Sequence, residues 1–292
     1  MLWIPLTLAA AFLQNLRSLL QKRLTGVLSV NGAAYARFCY AWPFACVYLL
    51  VLSVRESIPH PNLEFWLFCV VGALAQVLAT ALLLSAFTLR SFAVSTALSK
   101  TEVIQTAFVG LLVLGESVSS VAGLGIGVTL VGVLLLSVRV RLREVVQSRR
   151  GLMLGLLAGS AFAVSAVGFR AAALALPEGG ASIRAGLTLA VALTVQTLVM
   201  GVFLMLWDGE RGQLARVASA WRHGLWVGVC GAAASIGWFT AMTLETSALV
   251  RALGQVELLF ALLTSHLVFR ERMRASELTG IVILVFGIYL VL

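Results

Sequence analysis

Residues 86–136 recur without a gap at residues 241–291: at a constant offset of 155, 14 of the 51 aligned pairs are identical. They include Ala86/Ala241, Thr88/Thr243, Ala97/Ala252, Leu98/Leu253, Glu102/Glu257, Glu116/Glu271, Gly125/Gly280 and Gly132/Gly287. A shared apolar bias matches some Leu and Ala by chance. It does not match two Glu and two Gly, which are scarce or tied to position here. The offset is close to half of the 292 residues, so the chain reads as two homologous halves in tandem.

Composition names the solvent. Hydrophobic residues make up 61% of the chain and charged residues 11%, whereas a soluble domain carries about 25% charged residues. A helix needs about 20 mostly apolar residues to cross hydrocarbon. Ten such spans are predicted, at 2–20, 32–53, 64–88, 91–114, 119–138, 151–173, 184–206, 222–243, 246–269 and 275–292. Helices satisfy their own backbone hydrogen bonds in lipid, and the alternation of a β-barrel is absent. The expected fold class is all-α: a polytopic membrane protein of ten transmembrane helices in two five-helix repeats. The repeats are 1–138 and 151–292, joined by a basic linker at 139–150. The first span has no basic n-region before it, and its charges follow at Arg17, Lys22 and Arg23, so it reads as a retained helix. Cys39, Cys46, Cys69 and Cys230 all lie in apolar spans, without a CxxC or a metal-type Cys/His spacing. Free thiols are expected, and no metal or other cofactor.

The formal charge is +9, but its distribution points away from nucleic acid. Loops 1–2, 3–4, 5–6, 7–8 and 9–10 hold fourteen of the 21 basic residues: Lys22, Arg23, Arg90, Arg139, Arg141, Arg143, Arg149, Arg150, Arg211, Arg216, Arg222, Arg270, Arg272 and Arg274. The opposite side holds Arg55 and Arg184. The positive-inside rule makes the first set cytoplasmic and leaves both termini outside a bacterial-type inner membrane. Anionic lipid headgroups are the partners such loops suit. Spans 4 and 9 are five apart and so cross in opposite directions. The repeats are then inverted copies, a layout in which alternating access arises by rocking one half against the other.

The repeat itself carries a resemblance. "ALSKTEVIQTAFVGLLVLGE" (97–116) followed by "GLGIGVTLVGVLLL" (123–136), with its partner "ALGQVELLFALLTSHLVFRE" (252–271) followed by "LTGIVILVFGIYLVL" (278–292), resembles the EamA-type repeat of the drug/metabolite transporter superfamily. Leu114-Gly115-Glu116 carries the motif, and Phe269-Arg270-Glu271 is a degraded copy. The resemblance implies a ten-helix inverted-repeat carrier, with spans 5 and 10 in packing roles. It leans towards the bacterial exporters of aromatic amino acids. In one respect the chain departs: where relatives commonly have Glu-Pro in spans 4 and 9, Val103 and Leu258 stand after the Glu. A proline kink is therefore not expected.

Candidate residues follow from cost. An ionisable group at mid-membrane costs about 2.5–3.5 kcal/mol on insertion scales. Lys100 lies about ten residues, roughly 15 Å, from either end of span 4, too deep for its stem alone to reach water. It requires a carboxylate, supplied by a protein Glu or by a substrate. Its repeat mate is Gln255, so the halves differ there. Glu102 and Glu257 are the symmetric pair, either acceptors for neighbouring helices or protonatable coupling groups. Two residues from Lys100, Glu102 projects roughly 200° around the helix and is expected not to share its face. Arg251 shares a face with Gln255, with Glu245 near in sequence. Gln76 is a lone amide in span 3. Trp42, before Pro43, and Trp238, among small residues, sit deeper than Trp3, Trp66, Trp207, Trp221 and Trp226, which suit an aromatic belt. Lys100, Ser99, Gln76, Gln255, Trp42 and Trp238 form the expected substrate site; Glu102, Glu257 and Arg251 are buried charges with coupling or structural roles. Gly123/Gly127, Gly125/Gly132, Gly151/Gly155/Gly159, Gly224/Gly228 and Gly280/Gly287 offer close-packing faces.

No metalloprotease, serine-hydrolase, phosphate-loop or dinucleotide motif is present, so no enzyme is expected, and no nucleotide-hydrolysing domain powers a pump. No charged ring or filter loop speaks for a channel. The expectation is a secondary transporter exporting small amphipathic metabolites, amino acids first, with an exporter of lipophilic drugs or other metabolites as the alternative.

Overall fold

The computed structural model describes residues 1–24, 26–87, 92–137, 149–269 and 275–292, and among them every regular element is helical, with no strand. The basic residues at 90, 139–143 and 270–274, Glu271, and most of the 139–150 linker lie outside the described residues. Seven helices are long and apolar enough to cross a membrane, and two more, Ser120–Leu136 and Glu277–Val291, are apolar but shorter. The first helix, α1 (Trp3–Leu24), has the length, but Gln14, Asn15 and Arg17 dilute its apolarity, and it is not among the seven.

The chain forms two compact units, residues 1–77 with 168–244 and residues 78–167 with 245–292, so each takes segments from both sequence repeats. In the first unit, α1 lies along α11 (Trp221–Leu244), where Gly237 leaves room for Ala10 and the Leu6 carbonyl, and Gly231 for the Arg17 stem. A Cβ on Gly237 would come within 2.9 Å of Ala10. The next span is interrupted: α2 (Val30–Cys39) ends and α3 (Trp42–Ser53) begins with Pro43 in its first turn, the position where a missing N–H and a fixed φ cost nothing. Tyr40, at the break, donates its hydroxyl to the Val217 carbonyl (2.6 Å). The remaining elements are the first part of α4 (Leu63–Phe87), the end of α8 (Arg149–Ala175), α9 (Ala181–Leu206) and the short α10 (Gln213–Ser219). Trp3, expected in an aromatic belt, is buried instead, while Trp66, Trp207, Trp221 and Trp226 are exposed.

The second unit holds α5 (Phe92–Ser99), α6 (Glu102–Leu114), α7 (Ser120–Ser137), the start of α8, α12 (Ser247–Gly254), α13 (Glu257–Phe269) and α14 (Ala275–Val291). The inner bounds match at the offset of 155: α5 ends at Ser99 and α12 at Gly254, and α6 begins at Glu102 and α13 at Glu257. Two glycines on α7 and their repeat mates on α14 fit these helices backbone to backbone. A Cβ on Gly132 would stand 2.8 Å from Leu284 Cα, and one on Gly125 2.9 Å from the Gly287 carbonyl. Gly123 and Gly127 face open space, so they are not part of this packing. Apolar side chains such as Phe108, Leu112, Val282 and Tyr289 point outward, as expected of surfaces that meet lipid.

Candidate substrate site at the paired helix breaks

The fourth and ninth spans are broken at matching places. α5 stops at Ser99 and α6 restarts at Glu102; α12 stops at Gly254 and α13 restarts at Glu257. At matching positions in each break two amides bond three residues back rather than four: Lys100 N–H to Ala97 O (3.2 Å) and Thr101 N–H to Leu98 O (3.1 Å), then Gln255 N–H to Ala252 O (3.2 Å) and Val256 N–H to Leu253 O (3.1 Å); the second break adds Leu258 N–H to Gln255 O (3.0 Å) and Leu259 N–H to Val256 O (2.9 Å). This is 3₁₀ tightening, achieved without proline. The Thr101 hydroxyl also donates to Leu98 O (2.6 Å), but Val256 has none to offer, so the hydroxyl is not the shared cause. What the copies share is a Glu at the first position of the restarted helix, where a carboxylate meets the positive end of the helix dipole. Lys100, just past the end of α5, meets the negative end in the same way.

The charges then pair across the repeats. Lys100 Nζ lies 2.5 Å from Glu257 Oε1, and Arg251 Nη2 donates to Glu102 Oε2 at 3.4 Å. All four side chains are mostly shielded: 17% exposed for Lys100, 20% for Glu257, 18% for Arg251 and 9% for Glu102. Glu102 also acts electrostatically on Lys100, as does Arg251, so the two pairs form one cluster. The angular separation expected between Lys100 and Glu102 assumed a continuous helix; the break removes that assumption.

Neutral groups complete the cluster. Gln255 donates through Nε2 to the Arg251 carbonyl (3.3 Å), and Gln105 through Nε2 to the Thr101 hydroxyl (2.9 Å). The Oε1 atoms of both amides, and the Thr96 hydroxyl oxygen, are buried without a hydrogen-bond partner. Ser99 turns its hydroxyl back to the Thr96 carbonyl (2.8 Å). α8 approaches α5 through its glycines. Ser95 donates to Gly151 O (2.8 Å), and a Cβ on Gly159 would come within 3.0 Å of Ser99 O. After α6, Gly115 takes φ 67°, and the Gly115 and Glu116 amides reach back to Leu111 O and Gly110 O. This gives the Leu-Gly-Glu motif its physical meaning: only Gly enters that left-handed conformation cheaply.

The remaining candidates sit in the first unit and engage separate partners. Gln196 donates through Nε2 to Gln76 Oε1 (2.6 Å), Trp42 through Nε1 to Thr194 Oγ1 (2.7 Å), and Trp238 through Nε1 to Gln14 Oε1 (3.0 Å). Trp238 is buried, whereas Trp42 is 40% exposed. Sequence reasoning passed over Gln196 and Gln105, though each is a lone amide in an apolar run, the signal that singled out Gln76. The Arg251–Glu102 pair had no such signal.

No curated protein matches the chain. Among solved structures, 28 chains match; one crystal structure superposes with a TM-score of 0.76 over 99% of this chain and 96% of its own, at 14% identity, a likeness of fold alone. The model of the EamA-like transporter family matches twice, over residues 1–138 and 149–292. Matched over nearly its whole length, the chain belongs to the EamA-like transporter family, within the drug/metabolite transporter superfamily: multi-pass membrane transporters of small metabolites, not enzymes.

Proposed function

We propose that the protein is a secondary carrier that exports small amphipathic metabolites, amino acids before other classes, across a bacterial-type inner membrane. It works by alternating access between two inverted five-helix repeats, with the substrate held where the broken helices meet. The observation that carries this reading is Lys100: an ammonium 17% exposed, at the end of a half-helix and inside a cluster that already contains a carboxylate. A group held there can exchange one carboxylate for another, which suits a substrate bearing one. The orphaned amide oxygens of Gln105 and Gln255 add acceptors for a donor-bearing ligand.

The test is flux of a labelled amino-acid panel into proteoliposomes without a proton gradient, for the unaltered protein and Lys100→Ala. Saturable, counter-transportable flux of several amino acids, lost in Lys100→Ala, is expected. Lipophilic cations moving instead, with amino acids untouched, would replace this reading by that of a drug exporter.

A further inference from the structure

Resting on the reading of an alternating-access carrier, we infer that span 2 and α9 form a strut that stays closed through the transport cycle. The repeats do not part along this seam, and the movement that exposes the substrate falls on other helices.

The seam joins opposite repeats. Span 2, made of α2 and α3, reaches from Val30 to Ser53 and α9 from Ala181 to Leu206, and each is long and apolar enough to cross a membrane. Both ends of the seam are bonded. Where α2 begins, Glu210, just past the end of α9, accepts from the Ser29 hydroxyl (2.5 Å) and from Asn31 Nδ2 (2.7 Å). Gln213 Oε1 accepts from the Ser29 amide beside them (3.2 Å). Where α9 begins, Glu56, just past the end of α3, accepts from the Gly180 amide (2.8 Å). Each helix thus takes at its N-terminus a carboxylate that follows the other, where negative charge meets the positive end of the helix dipole. The Trp42–Thr194 bond lies between the two ends. Glycine lets both ends close tightly: a Cβ on Gly32 would come within 2.9 Å of Gln213 Oε1, and one on Gly180 within 3.2 Å of Glu56 Oε2.

A seam that opens towards one side of the membrane gives up its bonds on that side. This one is bonded at both ends and between them in a single structure. A gate caught shut at both ends would look the same, so the bonds alone do not separate gate from strut. The packing does. Span 2 and α9 come from different repeats, yet both fall inside one compact unit, with no unit boundary between them.

The experiment links each end of the seam covalently and reads flux. In the full-length protein with Cys39, Cys46, Cys69 and Cys230 replaced by Ala, Ser29→Cys with Gln213→Cys spans one end and Glu56→Cys with Gly180→Cys the other. The shortest bifunctional methanethiosulfonate joins each pair, and dithiothreitol releases it. Labelled amino acids report the flux, or lipophilic cations if the unaltered protein carries those instead. Linking either end, or both, should leave flux within about twofold, because only motions that belong to the cycle limit turnover. A loss of more than about tenfold, restored by dithiothreitol, would make the seam a gate and overturn the inference while the carrier reading stands. If the unaltered protein carries neither class of solute, the carrier reading falls and the strut with it. Should a cysteine variant not fold, spin labels at the exposed Val54 and Glu178, and at the exposed Val27 and Asp208, decide instead. One distance for each pair, with and without the carried solute, supports the strut; two populations at either end refute it.

Discussion

The two broken spans break at the same place and carry different chemistry. α5–α6 and α12–α13 stop and restart at positions 155 residues apart, with two matching three-residue-back hydrogen bonds and two more, from Leu258 and Leu259, in the second copy alone. Yet the first break carries Lys100 where the second carries Gln255, and the second carries Arg251 where the first carries Thr96. Of the charged residues only the glutamates are common to both. Because each copy has one cation at a non-equivalent place, each glutamate finds its partner in the other copy: Lys100 with Glu257, Arg251 with Glu102. Duplication supplied a symmetric pair of half-helix ends, and divergence of two side chains turned them into complementary ones. A single half-chain has no such pairing available to it.

The largest effect expected concerns these pairs. Lys100→Ala or Glu257→Ala alone removes one half of a shielded ion pair and should cost about 3–5 kcal/mol. The double change Lys100→Leu with Glu257→Leu should recover most of it. Thermal unfolding of the purified variants measures this, and a double variant no better than the singles would mean that the pair is not a unit. Next comes the seam between α7 and α14. Gly132→Ala and Gly287→Ala, repeat mates both pressed against backbone, should each cost about 1–3 kcal/mol through overpacking. Gly123→Ala and Gly127→Ala, open on the outside, should be neutral or stabilise by about 0.5–1 kcal/mol. Equal melting shifts for inner and outer glycines would refute that arrangement.

Smaller effects separate features that one copy has and the other lacks. Gly115→Ala forces a side chain into φ 67° and should cost about 1 kcal/mol, read as a drop in melting temperature. Ser99→Ala removes only a hydroxyl bonded to its own helix. Its repeat mate is Gly254, which has no such bond. A loss of about 0.5 kcal/mol or less, with flux retained, is expected if that bond is local trim. A large loss of flux would instead place the hydroxyl in contact with substrate.

Much of this was legible before folding. Ionisable residues in apolar runs are expensive wherever they stand, so Lys100, Glu102, Glu257 and Arg251 stood out by cost alone. Lone amides do the same more weakly, which is why Gln76 was noticed and Gln196 and Gln105 were not. The break at Lys100–Thr101 was not readable, since the usual sign is a proline and this chain has Val103 and Leu258 at that place. Glycine spacing marked faces but could not tell a buried face from an open one; Gly125 and Gly132 proved inner, Gly123 and Gly127 outer.

By itself the sequence determined the all-helical membrane class, because apolar runs of that length leave the backbone no other way to meet its hydrogen bonds in lipid. It also determined the duplication and the family, which are properties of residue order. Only the tertiary structure decided which charge meets which. The partners of the two ion pairs are 157 and 149 residues apart in the chain. No local pattern encodes a contact at that separation; it exists only once two broken helices from different copies lie side by side.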